Sequence, residues 1–291
     1  MIITLRKVAT GLIFVCTTAL FVLFILFDSY TWGKYVLLGL SACILLLGIG
    51  ITHSKIILKF NPYAALNILF IVFVLLSSMW AIDASDSVIM ARTLMRIFVC
   101  AYAVYITYLS IPELDETVLL KAVMWAGYIV AIYSLAFYGI DEMVSAGSNS
   151  SLRIESEFSN VNTIGLACAL SCVLQINLRN LCPKDHFFPS ALFMIPSIIV
   201  LAATQSRKAL VFFIVGALGY AVVKAQESKK SLFIKTVKIL FGILILALLI
   251  YWLLQLEAFT GVRERMEGVI NAVFGNGKVD SSTTVSYTHL T

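Results

Sequence analysis

Apolar stretches of about 20 residues, the length needed to cross a bilayer as a helix, recur along this chain almost without interruption. Short charged or Gly/Pro/Asn-containing breaks separate them. With 60% hydrophobic and 13% charged residues among 291, there is too little polar surface to coat a soluble globule of this size. The chain is therefore expected to be an all-α, polytopic transmembrane helix bundle. Nine spans are predicted: Val8–Phe27, Tyr35–Ile51, Pro62–Ile82, Val88–Leu109, Val118–Gly139, Val161–Leu178, Phe187–Ala203, Ala209–Val223 and Phe233–Leu256. Residues 1–256 form the expected bundle and residues 257–284 the start of a large outer loop. No internal repeat or low-complexity linker divides the chain. The first apolar run is too long for a signal-peptide core and lacks a small-residue cleavage site, so it reads as an uncleaved span.

Orientation follows from the lysines. Lys55, Lys59, Lys184, Lys224, Lys229, Lys230, Lys235 and Lys238 fall in loops on one side, which the positive-inside rule makes cytoplasmic, together with the N-terminus. The acidic segment Pro112–Glu116 also falls inside, where carboxylates contribute little to orientation. Six of the eight arginines are sorted the other way: Arg92, Arg96, Arg153, Arg207, Arg263 and Arg265 lie at or near the outer face, while Arg6 and Arg179 fall inside. Topology rules deplete both cations from short outer loops, so these arginines need another cause. A guanidinium fork holds phosphate bidentately, which lysine cannot do. The distribution therefore points to an anionic, phosphate-bearing ligand on the outer side. Arg92 and Arg96 lie in the first turns of the fourth span, where they must face protein or snorkel outward.

The net charge of +5 is spread over inter-helix loops rather than a basic stripe with interleaved aromatics, which speaks against nucleic acid. Five of the six cysteines lie in apolar stretches without metal or redox spacing and read as small buried hydrophobes. Trp32, Trp80 and Trp252 near span ends read as interfacial anchors. No Walker loop, zinc-protease helix, dinucleotide fingerprint or serine elbow is present, so no cofactor or metal is expected.

Three polar segments carry the candidate chemistry. Thr204-Gln205-Ser206-Arg207-Lys208 is a very short outer connection that can present Arg207 to a cavity, or set Arg207 and Lys208 among lipid headgroups. The run from Arg153 to Gly165 leads into the sixth span. In it Asn160 or Asn162 can cap the helix or contact sugar hydroxyls, and Glu157 can act as a base or pair with an arginine. Arg263-Glu264-Arg265 follows the ninth span and can equally form internal ion pairs on a solvated helix. The segment from Gly139 to Asn160, with Gly147-Ser148-Asn149-Ser150-Ser151, reads as an irregular flexible loop.

Leu76-Ser77-Ser78-Met79-Trp80-Ala81 with the acidic residues after it, the Arg153–Gly165 segment, and Ser206-Arg207 opening a span occur in an order and spacing that resembles the O-antigen ligase and O-antigen polymerase superfamily. The second segment is similar to that superfamily's Arg-Gly-x-Phe-x-Asn-x-Asn pattern, with Glu155 where the pattern favours glycine. The resemblance implies a bacterial cytoplasmic-membrane glycosyltransferase, independent of metal. It would move glycan from a polyprenyl-diphosphate donor to a glycan or glycolipid acceptor at the outer face, in lipopolysaccharide or exopolysaccharide assembly. Arg207 maps onto the superfamily's arginine and would be catalytic. Arg153, Asn160, Asn162, Ser206, Lys208, Arg263 and Arg265 would bind substrate, and membrane lipids would surround the bundle.

The runner-up is a flippase for lipid-linked oligosaccharide or polysaccharide. A transporter would place ionisable groups near mid-span, where this chain has almost none. A non-enzymatic membrane scaffold is a third reading. Val285–Thr291 looks like a translated sequencing adapter, so the natural sequence is expected to stop near Thr284 and this truncated chain to be inactive. His289 accordingly has no assigned role.

Overall fold

A computed structural model of the protein describes residues 2–27, 30–52, 62–80, 84–148, 160–181, 189–227 and 263. All regular structure among them is helical. The helices are α1 (Ile2–Phe27), α2 (Thr31–Thr52), α3 (Pro62–Ser77), α4 (Ala84–Ser110), α5 (Glu116–Tyr138), α6 (Ile140–Ser148), α7 (Val161–Leu181), α8 (Met194–Thr204) and α9 (Arg207–Glu227). A single 3₁₀ turn, Ala191–Phe193, leads into α8.

Five helical stretches are long and apolar enough to cross a membrane: Lys7–Phe27, Trp32–Ile51, Ala84–Ser110, Glu116–Tyr138 and Val161–Arg179. Three more apolar helices, Ala64–Ser77, Ala191–Thr204 and Lys208–Tyr220, are shorter. The expected ninth span lies outside the described residues. One face of α3 leaves Leu66, Leu69, Phe73 and Leu76 about half exposed or more. Four large apolar side chains per face would be a liability in water and are ordinary against lipid. The chain is thus a membrane-embedded helical protein.

The molecule divides into two compact units, Met1–Val123 and Met124–Thr291. In the first, α1 and α2 form a tight hairpin. The turn is held by Tyr30 N–H donating to the Phe27 carbonyl at 3.1 Å, and Phe27, Tyr30 and Trp32 cluster around it. Gly33 sits against the Phe27 carbonyl oxygen, where a Cβ has no room. Residues at helical spacing meet in one seam: Ile13 and Leu20 of α1, Leu37 and Ile44 of α2, Cys100, Val104 and Tyr108 of α4. The Cys100 thiol meets the Leu37 carbonyl at 3.8 Å and Gly48 lies against Thr107, so α2 and α4 run parallel. The Tyr108 hydroxyl donates to Thr17 Oγ1 at 3.3 Å, joining α4 to α1. Asp115 caps α5, accepting from the Thr117 hydroxyl at 2.7 Å and the Val118 N–H at 3.0 Å.

In the second unit α7 is the axis, packed against α8 and α9. Its Cys168, Ala169 and Cys172 are fully buried, as expected; Cys100 is buried too, but Cys16 is only partly buried and Cys43 is exposed, against the expectation. Close approach depends on small residues, the usual device where lipid supplies no hydrophobic drive between helices. Gly127 of α5 lies against Ser171, and Gly216 of α9 against Val173. Toward the far end of α7, Gln175 takes the Tyr128 hydroxyl on its Oε1 and donates Nε2 to the Pro189 carbonyl at 3.1 Å.

Candidate functional site

Asn160 begins α7 as its cap. Its side-chain Oδ1 accepts the Asn162 N–H at 2.9 Å, and its carbonyl accepts the Thr163 and Ile164 N–H groups at 2.8 and 3.2 Å. The Asn162 and Thr163 N–H groups are among the donors a helix start leaves unpaired, and the side-chain bond to Asn162 is why asparagine is favoured there. Of the two asparagines, Asn160 is therefore the cap. Asn162, one position into the helix, is exposed.

The turn between α8 and α9 has only two residues outside the helices. Gln205 takes the left-handed conformation (φ 48°) and donates its N–H to the Ala202 carbonyl at 3.0 Å, closing α8. Ser206 caps α9: its carbonyl accepts the Leu210 N–H at 3.0 Å, and its hydroxyl lies 3.4 Å from the Ala209 N–H. Arg207 is the first residue of α9, and Lys208 after it is exposed. The short connection expected at Thr204–Lys208 is present.

These two segments, 40 residues apart in sequence, are neighbours. A Cβ on Gly165 would stand 2.6 Å from Thr204 Oγ1, 3.2 Å from Ser206 Cβ and 3.4 Å from Ala209 Cβ. The first turns of α7 and α9 thus lie side by side with the same polarity. Helix starts carry partial positive charge and outward N–H groups, so two together favour an anion. The C-terminal end of α8 offsets part of this field, because its last carbonyls lie at the same place. Thr204 Oγ1 donating to the Leu201 carbonyl at 2.8 Å and the Gln205 N–H satisfy two of them.

A third element joins the cluster. Gln205 is buried and donates Nε2 to the carbonyl of Ala146, near the end of α6, at 2.6 Å. The expectation of an irregular loop from Gly139 to Asn160 is corrected here: its first part is helix α6. Gly139 (φ 80°) ends α5 in the left-handed region that suits glycine. Asp141 and Glu142 then occupy the first turn of α6, where carboxylates are favoured, while Met143 and Ala146 bury one face against α8. Only Met143 and Ala146 mark the buried face, Ile140 being exposed, so no helical period stood out ahead of the Gly/Ser/Asn run. Gln205, to which the sequence assigned no role of its own, tethers the turn to α6.

Of the other expected site residues, Arg263 is helical and partly exposed. Arg153, Glu157 and Arg265 lie outside the described residues. The fold thus gathers Asn160, Asn162, Ser206, Arg207 and Lys208 at one end of the second unit: an amide cap, a serine cap and two cationic residues. In the first unit Arg92 is exposed, and Arg96 faces protein, lining a cavity. Comparison of the chain with protein-family models, with curated proteins and with solved structures finds no match.

Proposed function

We propose that the chain is a membrane glycan transferase of the O-antigen ligase or polymerase type, with the end of α7 and α9 that carries Asn160 and Arg207 as part of its active site. In this reading the bundle has nine spans, a cytoplasmic N-terminus and an active site on the outer face of a bacterial inner membrane. The observation that carries it is the adjacency of the α7 and α9 starts through Gly165. Of the three segments that bear the family resemblance, two meet here: the Asn160–Gly165 end of one packs against Ser206 of another.

The chemistry follows from the residue types. The bond between the sugar's anomeric carbon and the diphosphate oxygen breaks, and the acceptor hydroxyl oxygen bonds to that carbon as its proton passes to a base. Negative charge grows on the departing polyprenyl diphosphate. In this reading a guanidinium group and helix-start N–H groups at the site stabilise that charge more in the transition state than in the ground state. Confining donor and acceptor to one membrane surface contributes a further share by orientation. Arg207 is assigned to the diphosphate, Ser206 and Lys208 to its surroundings, and Asn160 and Asn162 to sugar or phosphate oxygens.

Arg207→Lys in the full-length protein tests the reading. It keeps the charge and loses the fork, so membrane insertion should be normal and glycan transfer in cells abolished. Retained transfer removes Arg207 from the site. A cysteine at position 208 should react with an impermeant thiol reagent from outside the cell; reaction only from the cytosolic side would overturn the topology and with it the function.

A further inference from the structure

The first unit holds a partly open cavity of about 700 Å³, within the range of small-molecule binding sites. Its walls come from α1 (Leu20, Phe24), α2 (Leu37) and one face of α4 from Arg96 to Leu109. The lining is almost entirely apolar, and its charged members stand at the two ends. Arg96 is at one end, with Arg92 one turn further along α4. Asp115 and Glu116, beyond the end of α4, are at the other.

We propose that this cavity is a binding site for one anionic phospholipid of the surrounding bilayer, with an acyl chain along the α4 face and the phosphate at Arg96. Three observations converge on that occupant. The walls are aliphatic and aromatic, as an acyl chain requires. From Arg96 to Pro112 the groove follows 16 residues of chain, about 24 Å if measured at helical rise, which exceeds the ~15 Å of one hydrocarbon leaflet. The charges are also polar in sense: a cation at one end attracts the phosphate, and two carboxylates at the other repel it, so the lipid has one favoured direction. A zwitterionic lipid shares the chains but brings a cationic group to the same arginine, so selectivity for a net negative headgroup follows.

The inference is independent of glycan transfer, and its test contains no glycan. The full-length protein is delipidated, placed in nanodiscs containing phosphatidylglycerol, phosphatidylcholine or both, and released for native mass spectrometry. Wild type should retain one phosphatidylglycerol in preference to phosphatidylcholine. Arg96→Gln should weaken that preference about fivefold, the effect of one cation near a lipid surface, and Arg96→Lys should keep most of it. Ala101→Trp, which fills the groove from α4 without touching a charge, should abolish retention of either lipid while helicity stays at the wild-type level. Equal retention of the two lipids by wild type overturns the proposal. So does retention unchanged in Ala101→Trp, or a photo-crosslinker at position 101 that captures the chain's own 233–256 segment instead of lipid.

Discussion

Gly165 and Thr204 leave no room for a methyl group between them: a Cβ at position 165 would stand 2.6 Å from the Thr204 Oγ1, and Ser206 Cβ is only 3.2 Å away. This contact sets the first turn of α7 beside the α8–α9 turn, so it decides whether the two polar segments share a site.

Gly165→Ala is expected to destabilise the protein. An alanine in a helix gains up to ~1 kcal/mol over glycine, but overpacking a tight contact costs about 1–3 kcal/mol. The clash wins at position 165. At Gly11, where an added Cβ meets nothing within 4 Å, the same change should be neutral or stabilising. Thermal unfolding in detergent compares the two, and adding Thr204→Ala to Gly165→Ala should restore part of the loss.

Gln205 has two roles that substitutions separate. Its left-handed backbone favours glycine by ~1–2 kcal/mol, while loss of its amide leaves the Ala146 carbonyl without that donor, at a cost of about 1–3 kcal/mol. Gln205→Gly should therefore lose a little stability, Gln205→Ala more, and Gln205→Val most. All three should raise hydrogen exchange in α6, whose link to the turn is this bond. Unchanged exchange in α6 would mean that the tether contributes nothing.

Capping and substrate binding by Asn160 can also be told apart. Asn160→Ala loses the cap at about 1 kcal/mol, whereas Asn160→Asp keeps it. The aspartate places a negative charge where the proposed function puts a diphosphate. Asn160→Asp should thus match wild type in thermal stability and fall well below it in glycan transfer. Wild-type transfer by this variant would move the diphosphate away from the α7 start.

Asp115 provides a pH signature at the head of α5. The hydrogen bond from the Thr117 hydroxyl, helped by the Val118 N–H, holds its carboxyl below the ordinary carboxylate value, against the opposing effect of burial. A depressed folded-state pKa means stability that is fully present above the unfolded value of about 4 and is lost as pH falls through the folded one. The stability difference between wild type and Asp115→Ala should accordingly be flat from neutral pH down to roughly pH 5. It should shrink in more acid solution. Asp115→Asn should keep most of the cap and remove that acid dependence.

The sequence by itself determined that the chain is helical and embedded in a membrane. Runs of apolar residues admit only helices in lipid, because no water is there to satisfy an open backbone. Asn160 was legible as a cap candidate beside Asn162 because capping is a local hydrogen bond, whereas Ser206 as the cap of α9 came from the structure. The short α6 was harder to read. Its nine residues hold too few apolar positions to register a period, and its stability comes from burying Met143 and Ala146 on α8, which is not a local property. Only the tertiary structure decided that Asn160 and Ser206 belong together, since glycine is legible as a flexible residue but not as the partner of Thr204. The same holds for the cavity beside Arg96. A void is the space that three helices leave between them, and helix packing depends on side-chain contacts distant in sequence, whereas the helices themselves depend on neighbours three and four residues away.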